Sequence, residues 1–251
     1  MILTHSETST GVINDLKTIS SYIREHKKAL SIVDCVTSLG ACNVPVDEWQ
    51  LDVVASGSQK GYMIPPGLSF IAMSQKAWDD AEKSNLPKFY LNLKSYRKSL
   101  LNNSNPFTPA VNLVFALDEA LKMMREEGLE NIFLRHNKHK LAMSNSVKAL
   151  NLKLFAEEKH LSPSITAIKT GEMDAEEFRK QIKNNFDILL AVGQDHLKGK
   201  IFRVGHLGYV NDRDIITVIS AISKTLLDLG KITTKEVGEA LVVASKYLKQ
   251  N

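Results

Sequence analysis

Val12, Leu16, Ile19 and Ile23 recur at the spacing of one helical face behind a Ser9-Thr10-Gly11 start, which predicts a helix. A short, mostly apolar run at 30–33 follows and stops at Asp34, the pattern of a strand buried on both faces. The plan repeats in "WQLDVVASGSQKG": an apolar run to Ala55, then small residues, then Lys60. "GLSFIAMS" at 67–74 predicts a third strand, and 75–84 a helix. Strands that alternate with helices imply a parallel α/β sheet. Residues 92–110 read as loop. A long helical stretch over 110–150 is broken near Gly128, with Val111, Val114, Leu117, Leu121 and Met124 as its apolar stripe.

Beyond Ser162-Pro163 the texture changes. "ITAIKT" predicts a strand, "DAEEFRKQIKNN" a helix, "DILLAVG" and "IFRVGHLG" strands, and 212–229 and 234–248 two closing helices. Sparser, more separated strands suit a smaller α+β domain. The boundary is therefore placed near Gly128, with a larger α/β unit at 1–127 and a smaller one at 128–251.

Composition narrows the class. A chain of 251 residues, 43% hydrophobic and 24% charged, is globular rather than disordered. The net charge of +4 is spread along the chain, with no dense basic block interleaved with aromatics, so no nucleic-acid partner is expected. The tightest cluster, Arg135, Lys138 and Lys140 with His136 and His139, reads as a solvated helix face. Cys35 and Cys42 fit no zinc-ligand spacing and form no disulfide framework, so a reducing compartment and no metal are expected. No apolar run approaches a membrane span and no secretory signal is visible, so the expectation is cytoplasmic, without a membrane partner.

Ligands of open parallel sheets bind outside the carboxyl ends of the strands. Asp34 and Lys60 each stand where an apolar run ends, with room between them for one strand–helix–strand excursion, so a carboxylate and an amine converge on one crevice. Pyridoxal phosphate requires that pairing: a lysine holds its aldehyde as a Schiff base, and a carboxylate keeps its ring nitrogen protonated, which makes the ring an electron sink. The plain alternatives are a solvated loop lysine and an aspartate that caps a turn.

Four separated motifs then agree in order: "HSETSTG" at 5–11, "VDCVTSLGA" at 33–41, "SGSQKGYMIPPG" at 56–67 and "FRVGHLG" at 202–208. Together they resemble the class V aminotransferases of the alanine/serine–glyoxylate and serine–pyruvate type. The resemblance covers essentially the whole chain. It implies a fold-type I enzyme dependent on pyridoxal 5'-phosphate, usually a homodimer, with a large cofactor domain and a small C-terminal one. Residue by residue, it implies that Lys60 is the Schiff-base lysine and Asp34 the partner of the ring nitrogen. Thr8 and Gln59 match cofactor contacts, Ser58 a position near the phosphate, and Thr108 one that reaches the neighbouring subunit's phosphate. Arg203 matches the arginine that grips the substrate carboxylate, a role suited to the parallel donors of a guanidinium.

The expected reaction is transamination between alanine or serine and glyoxylate or pyruvate. Family members carry a substantial segment ahead of "HSETSTG", whereas Met1 here almost directly precedes His5. A fragment of a longer enzyme, a chain that pairs with a separate N-terminal half, and a non-catalytic remnant or interaction module are the readings of that departure. A desulfurase-like lyase is disfavoured, because Gln59 stands where those enzymes commonly carry a histidine and both cysteines lie in the early strand–helix unit.

Overall fold

The computed structural model describes residues 1–26 and 28–249. Strand β1 (Ile2–Thr4) opens the chain, followed by the hairpin of β2 (Ser6–Glu7) and β3 (Val12–Ile13). The first helix therefore starts later than the apolar spacing predicts. Gly11 takes φ +70°, which turns the chain so that Val12 and Ile13 pair back on Glu7 and Ser6. Helix α1 (Leu16–Glu25) begins after Asp15, whose carboxylate accepts from the Thr18 amide; Leu16 and Ile23 remain on its buried face, as the spacing requires.

The first sheet runs β1-β4-β5-β6, with β4 (Ile32–Asp34), β5 (Val53–Gly57) and β6 (Ser69–Met73). β1, β4 and β5 are parallel and β6 is antiparallel to β5. The sheet is mixed because no crossover helix occupies 58–68, and a parallel return needs one. Val33 and Val54 pack beneath Leu16, Cys35, Val44 and Leu51 on one face. The other face is bare: Ile2, Ile32 and Ile71 are 81, 38 and 48% exposed. β4 is thus covered on one side only, where the sequence predicted two.

Helix α2 (Gln75–Lys83) matches expectation. Helix α3 (Leu93–Leu100) occupies the stretch read as loop; Asn92 caps it by accepting from the Lys94 amide, but it buries no side chain, which is why its apolar pattern was weak. Around it Phe89, Tyr90, Tyr96 and Phe107 stack on one another. Helices α4 (Val111–Glu127) and α5 (Leu129–Ala149) meet at Gly128, which takes φ +83°. The predicted stripe of α4 faces outward at Val111, Val114 and Leu121; Met124 is buried.

A second, antiparallel sheet runs β7-β8-β10-β9, with β7 (Lys153–Leu154), β8 (Ile165–Lys169), β9 (Ala191–Val192) and β10 (Ile201–Gly205). The strand expected from "DILLAVG" shrinks to the two residues of β9. Helices α6 (Ala175–Phe186), α7 (Asp212–Asp228) and α8 (Thr234–Leu248) pack with α5 into the larger core, where Phe178 and Phe202 stack at 5.2 Å. Burial of each such ring contributes about 2–3 kcal/mol. Ala240 and Ala244 let α8 approach α5, and the Ser146 hydroxyl donates to the Ala240 carbonyl across that contact.

The β2–β3 hairpin joins the two sheets. Val12 bridges to Leu161, the Ser162 amide donates to the Gly11 carbonyl at 2.9 Å, and the Ser6 and Ser162 hydroxyls share a hydrogen bond of 2.8 Å. Among the described residues no helix is long and apolar enough to cross a membrane.

Candidate functional site

Asp34 closes β4, beside Ala55 of β5 in register. Its side chain is exposed on the bare sheet face, while Cys35 points into the core as strand alternation requires. One carboxylate oxygen accepts from the Val36 amide at 2.9 Å, which fixes the turn beyond the strand; the other has no partner among the described residues.

Past β5 the chain bends through Ser58, Gln59 and Lys60. Ser58 is buried, and its hydroxyl donates to the Pro65 carbonyl and accepts from the Leu68 amide at 2.8 and 3.2 Å. The turn uses both, so Ser58 shapes the loop instead of presenting a hydroxyl beside it. Gln59 folds back over Gly57, its oxygen 3.1 Å from where a Cβ would stand. Gly61 lies against the turn that follows Asp34: a Cβ there would come within 2.2 Å of the Leu39 carbonyl oxygen and 2.9 Å of the Gly40 Cα. This backbone contact draws the lysine loop and the aspartate loop to the same end of the sheet.

The result is a pocket of about 220 Å³ lined by Thr8, Thr37, Gln59 and Lys60 together with Gly205 and Leu207 of the second sheet's end; Asp34 and Arg203 do not line it. Arg203, on β10, is 7% exposed. Its Nε donates to the Val192 carbonyl at 2.8 Å and Nη1 to the Thr8 carbonyl at 2.6 Å; Nη2 has no partner among the described residues. Burial lowers the pKa of the guanidinium, and the Glu7 carboxylate opposes that shift. Arg203 thus ties the Thr8 loop to the second sheet and keeps a donor in reserve. Thr108 is exposed between α3 and α4 and does not line this pocket.

Four histidines, His5, His136, His139 and His206, are buried. His206 is fully buried: Nδ1 donates to the Pro163 carbonyl at 3.0 Å, Nε2 lies 2.9 Å from the Thr166 hydroxyl, and burial pushes its pKa down to about 3. His5 stands edge-on to Trp49, and burial pushes its pKa to about 4. The cluster on α5 is not a solvated face: His136 and His139 are 1 and 0% exposed. They continue the buried row of Ile132, Met143 and Val147, so the helix carries imidazoles on its inner side and cations at its rim. Sequence reasoning singled out neither Thr37 nor Leu207 nor Gly40. All three lie inside the quoted motifs, but nothing in residue type marked them.

The pattern of the family described as aminotransferase class-V matches residues 1–198. The chain belongs to the class-V aminotransferases. It is 59% identical over 230 residues to the soluble hydrogenase 42 kDa subunit of Anabaena cylindrica, covering 92% of this chain and 60% of that protein. It is 33% identical to the serine–glyoxylate aminotransferase of Arabidopsis thaliana, covering 99% of this chain and 63% of the relative. The crystal structure of ureidoglycine–glyoxylate aminotransferase from Bacillus subtilis superposes with a TM-score of 0.90 at 32% identity, over 99% of this chain and 65% of the other. This class-V chain has the fold-type I α/β architecture and spans less than two thirds of the length of these relatives.

Class-V aminotransferases depend on pyridoxal phosphate. The donor set here fits that group: a primary amine at Lys60 and hydroxyl and amide donors at Thr8 and Gln59 line one pocket, and Asp34, outside that lining, stands at the same end of the first sheet with one carboxylate oxygen free among the described residues.

Proposed function

We propose that this chain takes part in transamination between a small amino acid, alanine or serine, and a small 2-oxo acid, glyoxylate or pyruvate. The observation that carries the reading is the convergence of Thr8, Gln59 and Lys60 on one pocket whose Thr8 loop is bonded directly to Arg203. Bound pyridoxal phosphate supplies an electron sink for the substrate α-carbon. Lys60 would hold the cofactor through its amine, and as a free amine it would take and return the proton at the substrate α-carbon. Asp34 would keep the ring nitrogen protonated with the oxygen that Val36 leaves free. Thr8 and Gln59 orient the ring and its phosphate. Arg203 receives the substrate carboxylate on its remaining donors. Thr108 reaches the site of a second subunit in a homodimer.

The relatives' greater length supports an assembly in which a second polypeptide or a further segment completes the site. Two relatives carry the name of a soluble hydrogenase subunit, in Anabaena cylindrica and Synechococcus. That name, with the bare sheet face, favours a second reading: a non-catalytic module docked in a larger complex.

The deciding experiment is borohydride reduction of the chain with pyridoxal phosphate, followed by peptide mapping. Label concentrated on Lys60, and lost in Lys60→Ala, is the expected result; transamination assays with alanine, serine and glyoxylate then follow. Label scattered over exposed lysines, on a chain that elutes as a defined complex with a partner, turns the assignment to the docked module.

A further inference from the structure

We infer that Arg135 and His136 of α5 are positioning residues for the Lys60 pocket, which they serve by holding the 205–210 strap against the lysine backbone. The inference rests on the reading of that pocket as the reactive site.

The strap leaves β10 at Gly205 and has no regular structure over 206–210, so its backbone groups need partners elsewhere. Helix α5 supplies them. The Gly208 amide donates to His136 Nε2 at 3.1 Å. Arg135 Nη1 donates to the Gly208 and Val210 carbonyls at 2.8 and 3.0 Å. His136 is held in the tautomer this needs, because its Nδ1 donates to the Ile132 carbonyl at 2.7 Å and Nε2 is left as an acceptor. Arg135 is aimed by a two-pronged ion pair with Glu127 of α4, at 2.6 and 3.0 Å.

Two adjacent helical residues therefore fix three backbone groups of an irregular segment, and the segment meets the site. Gly208 takes φ +85°, and a Cβ there would lie 3.2 Å from the Lys60 carbonyl oxygen. Gly205 and Leu207, one to three residues earlier, line the same pocket as Lys60. A third anchor, the His206 amide on the Ser164 carbonyl at 2.9 Å, sets only the near end of the strap. Val210 packs on the larger core, but among the described residues the Gly208 backbone is hydrogen-bonded by Arg135 and His136 alone, so these two set its distance from Lys60.

The test compares the full chain with His136→Phe, which keeps bulk but loses the acceptor, and His136→Gln, which offers an amide oxygen in its place. Arg135→Lys is the second line; it keeps the charge and cannot span both strap carbonyls and Glu127. Two probes report on Lys60: pyridoxal phosphate fixed by borohydride, and a lysine-acylating reagent that needs no cofactor site. Each is quantified against Lys235, exposed on α8. A displacement of one pocket wall in His136→Phe and Arg135→Lys is expected to lower the pyridoxal ratio about tenfold. The acylation ratio rises as Leu207 withdraws, and His136→Gln restores both. In a chain labelled with 15N-glycine the Gly208 resonance moves in His136→Phe and returns in His136→Gln. Unchanged Lys60 ratios with both probes overturn the proposal, as does a rise shared equally by Lys60 and Lys235. If the parent takes no pyridoxal label on Lys60 while the acylation ratio responds to the variants, the cofactor reading falls and the positioning role stands.

Discussion

His5, His136 and His206 are neutral imidazoles locked in the interior. In the unfolded chain each takes up a proton near pH 6.5, its ordinary value; in the fold, burial holds His5 and His136 down to about 4 and His206 to about 3. Between those values the unfolded state binds more protons than the native state. The stability they contribute is complete above about pH 6.5 and is lost as pH falls toward 4, at about 1.4 kcal/mol per pH unit for each histidine. Urea midpoints measured from roughly pH 7 to 5 fall accordingly, and the slope lessens in His206→Asn; a midpoint indifferent to pH over that range would show solvent reaching the imidazoles. At this scale the sequence was informative where chemistry is rare, as for the lysine between small residues and the carboxylate at a strand end. It was silent on Thr37 and Leu207, because what makes a threonine or a leucine line a pocket is the path of the surrounding chain. It misled on His136 and His139, since an imidazole beside lysines looks solvated until its own inward row is seen.

Between elements, the site depends on one backbone contact, Gly61 against Gly40 and the Leu39 carbonyl. Gly61→Ala places a methyl group where no atom fits, so the lysine loop and the aspartate loop separate. The expected cost is about 2–3 kcal/mol, as for other overpacked positions, read as a lower urea midpoint together with a weaker pyridoxal label on Lys60. Loss of stability with unchanged labelling would show that the two loops hold their positions independently. The helices from α6 onward were legible because apolar periodicity with clear caps leaves little choice: Asp174, Asn211 and Thr233 each cap the start of a helix expected there. The early elements were harder. Four apolar residues at helical spacing include Val12, which a glycine at positive φ diverts into a hairpin, and β6 reads the same in sequence whether it runs parallel or antiparallel.

For the whole molecule, the dominant feature is a mixed sheet with one covered face. Ile2, Ile32 and Ile71 form an apolar surface around Asp34 that soluble chains rarely leave to water. Binding of a hydrophobic dye and concentration-dependent light scattering are both expected of the isolated chain, and Ile32→Thr with Ile71→Thr reduces both with little change in urea midpoint. Persistence of both signals in the double variant would move the source to the aromatic cluster near α3. The class of fold was readable from the alternation of strands and helices, but which sheet face is covered was not, because strand pattern reports hydrophobicity and not the identity of the neighbour. The hairpin that carries Thr8 adds a constraint in time. Its partners lie far along the chain: Ser6 bonds to a residue 156 positions later and Thr8 to one 195 positions later. At ribosomal rates of about 5–20 residues per second, the first of these partners follows Ser6 by roughly eight to thirty seconds. Throughout that interval the nascent hairpin waits without the surface that seats it, so the pocket closes only as the last part of the chain emerges.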